Sequence, residues 1–273
     1  MDKVERLEQS LRDIAWLGLV EDEEIVLDEA ALEISALDHP DVDLADYIDR
    51  VGEYAEAVLM HAGSAGSNVE RARTLAAILA GRFGLTGDRQ TYDDPRNADL
   101  ISVIDRGRGL PVALSIFYVA IARRIGWPAN VLNVPGHVLV AIGEVEAATM
   151  DPFNDGALVD EVQLQALLTT RLIRSPHVLR AMGNRDVLVR LLMNVATRAE
   201  ETHDLPRALE FYKRITTIAP GGSHGWWERA RLEVLQQQPD AARSSLSALL
   251  ETTRDTALRA QVHAALAALS PHR

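Results

Sequence analysis

The 273-residue chain contains no cysteine. That absence removes disulfides, thiolate metal sites, iron–sulfur ligation and every mechanism built on a cysteine nucleophile. Positive charge is also short: 28 Lys and Arg face 40 Asp and Glu, a net charge of -12. An electrostatic grip on nucleic acid or on an anionic membrane needs clustered basic residues, so neither is expected as a partner, whereas basic partners stay open. No apolar run approaches the ~20 residues that cross a bilayer. The start "MDKVERLEQSLRDIAWLGLV" is charged from its second residue, unlike a secretory signal, and a cytoplasmic location is the expectation. The histidines, among them His61, His137, His177 and His203, are scattered with no H-x-x-x-H or H-E-x-x-H spacing, so neither a metal nor a cofactor is expected.

What is present is enough apolar sequence, 47% of the residues, to bury a sizeable core in a chain long enough for two domains. Residues 1 to 85 carry apolar residues at helical spacing in "VERLEQSLRDIAWL", "EDEEIVLDEAALEISAL" and "DLADYIDRVGEYAEAVLMHA", then, after a loop over 61–70, in "VERARTLAAILAGRFGL". Six of the nine residues from Glu21 to Glu29 are acidic; a solvated helix start is the simplest account. "TGDRQTYDDPRNADL" reads as a turn. "RGRGLPVALSIFYVAIARRIGWPAN" then predicts a buried helix: Pro111 suits a first turn, Leu114, Tyr118, Ile121 and Ile125 form a stripe, and Gly126 and Pro128 stop it.

After Pro128 the period becomes that of strands. "NVLNV", "HVLVAIGEV" and "AATMDPF" predict a β-hairpin turning near Glu144, whose register sets His137 opposite Asp151 on one sheet face. From about Arg185 the chain is helical again, with two segments at roughly the period of tetratricopeptide units. In the first, Ala208, Tyr212 and Pro220 fall at the small, aromatic and terminating positions. The second keeps Trp226 at the aromatic position but lacks the packing glycine, and its second helix reads as irregular. The boundary is set between residues 180 and 181.

The order of a helix from a glycine turn, an "IGWPA" exit, a strand starting at His137 and a strand ending in Asp151 resembles the transglutaminase-like superfamily. More narrowly, "YDDPRNADLISVIDRGRGLPVALSIFYVAIARRIGWPANVLNVPGHVLVAI" followed by "MDPFNDG" is similar to the SirB-type bacterial family, in which such a core precedes tetratricopeptide repeats. The resemblance implies an α+β fold, a papain-like core over residues 1–180 with an all-α repeat domain over 181–273. It further implies that His137 and Asp151 occupy the positions of general base and orienting carboxylate. The nucleophile position, counted back from the exit, is Pro111, which has neither a thiol nor a backbone N–H for an oxyanion hole. A non-catalytic protein-interaction module with an unidentified protein partner is the expectation. The alternative is a hydrolase or acyltransferase using Ser115, one helical turn beyond Pro111, with His137 and Asp151.

Each of these residues also has a plain structural reading. A histidine held by one carboxylate satisfies two polar groups, Asp151 before Pro152 suits a turn, and a helical serine bonds its own backbone. Asn97 resembles a position the family often keeps, and a helix N-cap explains it equally. Tyr212 and Trp226 with Trp227 make either a recognition surface or core.

Overall fold

The computed structural model describes residues 3–63, 65–134, 137–169 and 180–269. The chain divides into two compact units, residues 1–11 with 21–188 and residues 12–20 with 189–273. The division lies inside a helix rather than at a linker, beyond the expected boundary at 180/181, and an early segment joins the later unit. His177 and the Pro135–Gly136 part of the "PGH" motif lie outside the described residues.

α1 (Lys3–Leu17), whose residues 12–17 belong to the second unit, is followed by the acidic run, which does not continue one helix. Glu21 and Glu24 close a capping box around a single 3-10 turn (Asp22–Glu24), and α2 (Leu27–Ala36) starts afresh. Three adjacent carboxylates at a helix start are favoured by its exposed N–H groups, which is why the break falls there. Asp43 caps α3 (Leu44–Ala62), and a Ser67–Glu70 capping box starts α4 (Asn68–Ala76), which runs on as a π-turn to Arg82.

The stretch expected to be only a turn holds β1 (Thr86–Gly87), a 3-10 turn over 95–98 and a short helix, α5 (Leu100–Arg106), capped by Asp99. Gly107 ends α5 at φ 69°, the left-handed conformation that glycine adopts without strain. β2 (Arg108–Gly109) pairs in parallel with β1.

Next comes α6 (Pro111–Arg124), the predicted buried helix, with every residue from Pro111 to Ala122 buried. It is covered all round, by α2 and α3 and by the sheet strands β3 (Ala129–Val134) and β4 (His137–Ile142). The sheet continues with β5 (Ala148–Asp151) and β6 (Ala157–Leu158) in the order β3-β4-β5-β6, all antiparallel. α7 (Glu161–Thr169) follows. This is a mostly helical α+β architecture, as the resemblance implies.

The predicted hairpin register is corrected by two residues. Val140 pairs with Met150 and Ile142 with Ala148, so the turn centres on Val145, not Glu144. A two-residue shift preserves which face each side chain takes. His137 and Asp151 therefore share a face, but as diagonal neighbours rather than direct opposites.

α8 (Asn184–Glu201) leads into the second unit, which continues with α9 (Leu205–Ile218), α10 (Ser223–Leu235), α11 (Pro239–Thr252) and α12 (Thr256–Ala268). The second helix of the second repeat, expected to be irregular, is the regular 14-residue α11. Where the repeat pattern lacks its glycine, Gly225 packs instead: a Cβ there would stand 2.9 Å from the Ile215 Cγ2.

Candidate functional site: a histidine–aspartate pair under a helix start

The start of α6 is fixed from outside the helix. Leu110, its N-cap, donates its N–H to the Asn97 carbonyl at 2.8 Å, and Pro111 follows in the first turn. Asn97 is fully buried and is not an N-cap; it lies within the 3-10 turn over 95–98, which Asp94 caps, and Asp99 caps α5. Its side chain donates to the Thr91 carbonyl at 2.6 Å and accepts from Arg106 at 3.0 Å. Arg106 also reaches Asp88 at 2.8 Å. Hydrogen bonds from Thr91, backbone and hydroxyl, lead in holding the Asp88 carboxyl down at about 2, despite burial, which opposes them. This lattice of Asp88, Thr91, Asn97 and Arg106, buried at Asp88 and Asn97, ties the loop before α5 to the start of α6.

His137, at the first position of β4, donates from Nε2 to Asp151 Oδ2 at 2.8 Å. Asp151 ends β5, is 5% exposed, and accepts with Oδ1 from the N–H groups of Phe153 (3.0 Å) and Asn154 (3.3 Å). The Asn154 amide adds a bond to Oδ2 at 2.5 Å. Burial alone would raise the Asp151 carboxyl; the bond and charge of His137, with the two Asn154 bonds, outweigh it and leave it below its ordinary value. The carboxylate is therefore ionised and acts purely as an acceptor, which fixes the histidine with its proton on Nε2.

Ser115 is fully buried, and its hydroxyl donates to the Pro111 carbonyl at 2.8 Å, the helix-backbone bond that serine makes in such positions. That bond points to Pro111 and not to His137. Tyr118, one turn further along the same face, is also fully buried, and its hydroxyl finds no hydrogen-bond partner among the described residues. Burial first, then the charges of Asp155 and Asp151, raise it far above its ordinary value. It lies beneath the Asp151–Gly156 turn: a Cβ on Gly156, itself at φ 74°, would stand 3.0 Å from the Tyr118 oxygen and 2.6 Å from the Ala76 Cβ.

In the second unit Tyr212 is 3% exposed and belongs to the core. Burial, then the Glu200 and Glu228 charges, push its hydroxyl up to about 12. Trp226 is half-buried with its indole N–H on the Pro220 carbonyl at 2.7 Å. Both pack helices together. Among the described residues no group of three or more histidine or carboxylate side chains is placed to hold a metal ion, and no helix is long and apolar enough to cross a membrane. Sequence reasoning missed Asn154 and Arg89, which extend the pair outward: Arg89 donates to Asn154 Oδ1 at 2.6 Å. The asparagine of "DPFN" was the available signal.

A UPF0162 protein of Xylella fastidiosa (strain 9a5c) is 27% identical over 243 residues, 86% of each chain. UPF0162 protein PA3419 of Pseudomonas aeruginosa is 25% identical over 94% of this chain and 96% of its own. F-box only protein 21 of Homo sapiens is 32% identical over 78 residues, 28% of this chain and 12% of that protein. A family match covers residues 43–193, from the cap of α3 into α8, and so takes in α6, His137 and Asp151 together. The chain belongs to the transglutaminase-like superfamily.

Proposed function

We propose that this is a SirB-type, non-catalytic transglutaminase-like protein that works in the cytoplasm as a protein-interaction module, its second unit a tetratricopeptide-like array that holds a protein partner. Helical pairs of that kind bury a continuous core and leave a surface for partners. The observation that carries the reading is the Ser115 hydroxyl, spent on the Pro111 carbonyl. The His137–Asp151 pair keeps the shape of a base and its orienter, while proline stands at the nucleophile position that the family resemblance assigns. Such a pair outlives its nucleophile for an energetic reason. Removing either partner strands a buried polar group at about 1–3 kcal/mol, whereas replacing the nucleophile breaks no such bond.

Two measurements test this. The purified protein is expected not to hydrolyse or transamidate glutamine peptides above background; turnover lost in both His137→Ala and Ser115→Ala would overturn the reading in favour of a serine enzyme. Pro111→Cys supplies the missing thiol in a chain with no other cysteine. Its thiolate absorbance near 240 nm should titrate well below the ordinary ~8.5 of a free cysteine, and return towards it in Pro111→Cys/His137→Ala. An ordinary thiol pKa unaffected by His137 would show that Pro111 is not the nucleophile position.

A further inference from the structure

We propose that Arg89, beside the His137–Asp151 pair, is the anchor of a binding site for a single carboxylate group carried on an apolar or aromatic molecule. Arg89 is exposed yet held in place. One N–H donates to Asn154 Oδ1 at 2.6 Å, and the guanidinium stands 5.9 Å from the Phe153 ring centroid. Asn154 has no freedom to present its other end, because its amide nitrogen is committed to Asp151 Oδ2, the oxygen that also takes the His137 proton. The chain of bonds from His137 through Asp151 and Asn154 thus aims a neutral carbonyl at Arg89. It orients the cation without cancelling its charge.

Several arginines of this unit are neutralised or saturated. Arg96 meets Asp94, Arg106 meets Asp88, and Arg124 meets Asp28 and Glu29. Arg123 has neutral partners too, but spends Nε and both terminal nitrogens on them. Arg89 spends one donor of five and, among the described residues, has no carboxylate partner. An unneutralised guanidinium fork with a fixed orientation matches a planar carboxylate. A single guanidinium in a unit that holds 30 acidic against 16 basic residues favours a monoanion over a doubly charged phosphate, since the surrounding repulsion doubles with the ligand's charge. The neighbouring surface supplies the apolar half: Tyr92, 42% exposed, stands edge-on to Phe153 with centroids 5.7 Å apart.

This site deepens the proposed function and rests on the His137–Asp151 pair serving binding and not turnover. The test titrates the full chain with N-acetyl-L-phenylalanine, with its neutral amide N-acetyl-L-phenylalaninamide, and with inorganic phosphate, following the His137 ring nitrogens by NMR and heat by calorimetry. The carboxylate should bind saturably and at least tenfold more tightly than either the amide or phosphate. Arg89→Gln should lose at least tenfold of that affinity at unchanged melting temperature, Arg89→Lys should lose less, and Arg96→Gln should lose nothing. Equal affinity for acid and amide, tighter binding of phosphate, no saturable binding, or an Arg89→Gln protein that binds normally would each overturn the site. Conversion of the amide to the acid in the same samples would instead sink the non-catalytic reading and leave the carboxylate result standing.

Discussion

Asp88 shows how much a single carboxylate can organise. It takes two backbone N–H groups, from Gln90 and Thr91, one hydroxyl and one guanidinium, and its carboxyl titrates near about 2 in place of the ordinary 3.8. A carboxyl lowered by folding stabilises the fold fully above its unfolded value, and that contribution fades as pH falls from about 4 towards 2. Asp88→Asn should therefore cost stability at pH 7, about 1.5–3 kcal/mol for loss of a charge-assisted bond. It should also lose less than the parent between pH 4 and pH 2. Urea midpoints at pH 7, 4 and 3 check both; parallel curves for the two proteins would remove Asp88 from the acid response. The charged part of this was not readable in "TGDRQTYDDPRNADL", because Arg106 lies beyond that stretch, at the end of α5. His137 and Asp151, by contrast, were readable, because the register differs from the expected one by an even number of residues, which leaves each side chain on its face.

Elements were legible where period is long and illegible where it is short. α6 and α9 run for 14 residues each, long enough for several turns of apolar spacing. α5 has 7 residues and β6 has 2, too few to show any period, and both went unread. The helical pairs add a packing test. Ala208 is fully buried in α9, and Gly225 of α10 already sits within contact of Ile215. Ala208→Phe should overpack this unit and lower its stability by about 1–3 kcal/mol, whereas Ala257→Phe on the exposed side of α12 should stay within about 0.5 kcal/mol. Calorimetric melting temperatures decide it. An unshifted Ala208→Phe would mean that α9 does not pack its small-residue face as the repeat pattern requires.

At the scale of the whole molecule the net charge of -12 is unevenly held. The first unit has 30 acidic and 16 basic residues, and the second has 10 acidic and 12 basic, so the second is close to neutral. Residues 21–56 alone hold fourteen acidic residues and one basic one, Arg50. The split hardly depends on where residues 12–20 fold, because they carry one base, Arg12, and one acid, Asp13. Like charges repel over roughly 30 Å in 0.01 M salt and over only about 8 Å at 0.15 M. Folding concentrates the charges of the first unit, so its stability should rise with salt over that range, while the second unit, with charges of both signs in near balance, should barely respond. Hydrogen exchange resolved by peptide reads the two units separately within the intact chain. Amides of α6 should become more protected as sodium chloride rises from 0.01 to 0.15 M, and amides of α9 should not. The same comparison in potassium fluoride separates screening from specific ion binding, since screening depends on ionic strength alone. Equal gains in α6 and α9 would mean that the acidic helices are not an electrostatic burden on the fold, and that their charge is offset locally by pairs such as Arg124 with Asp28 and Glu29.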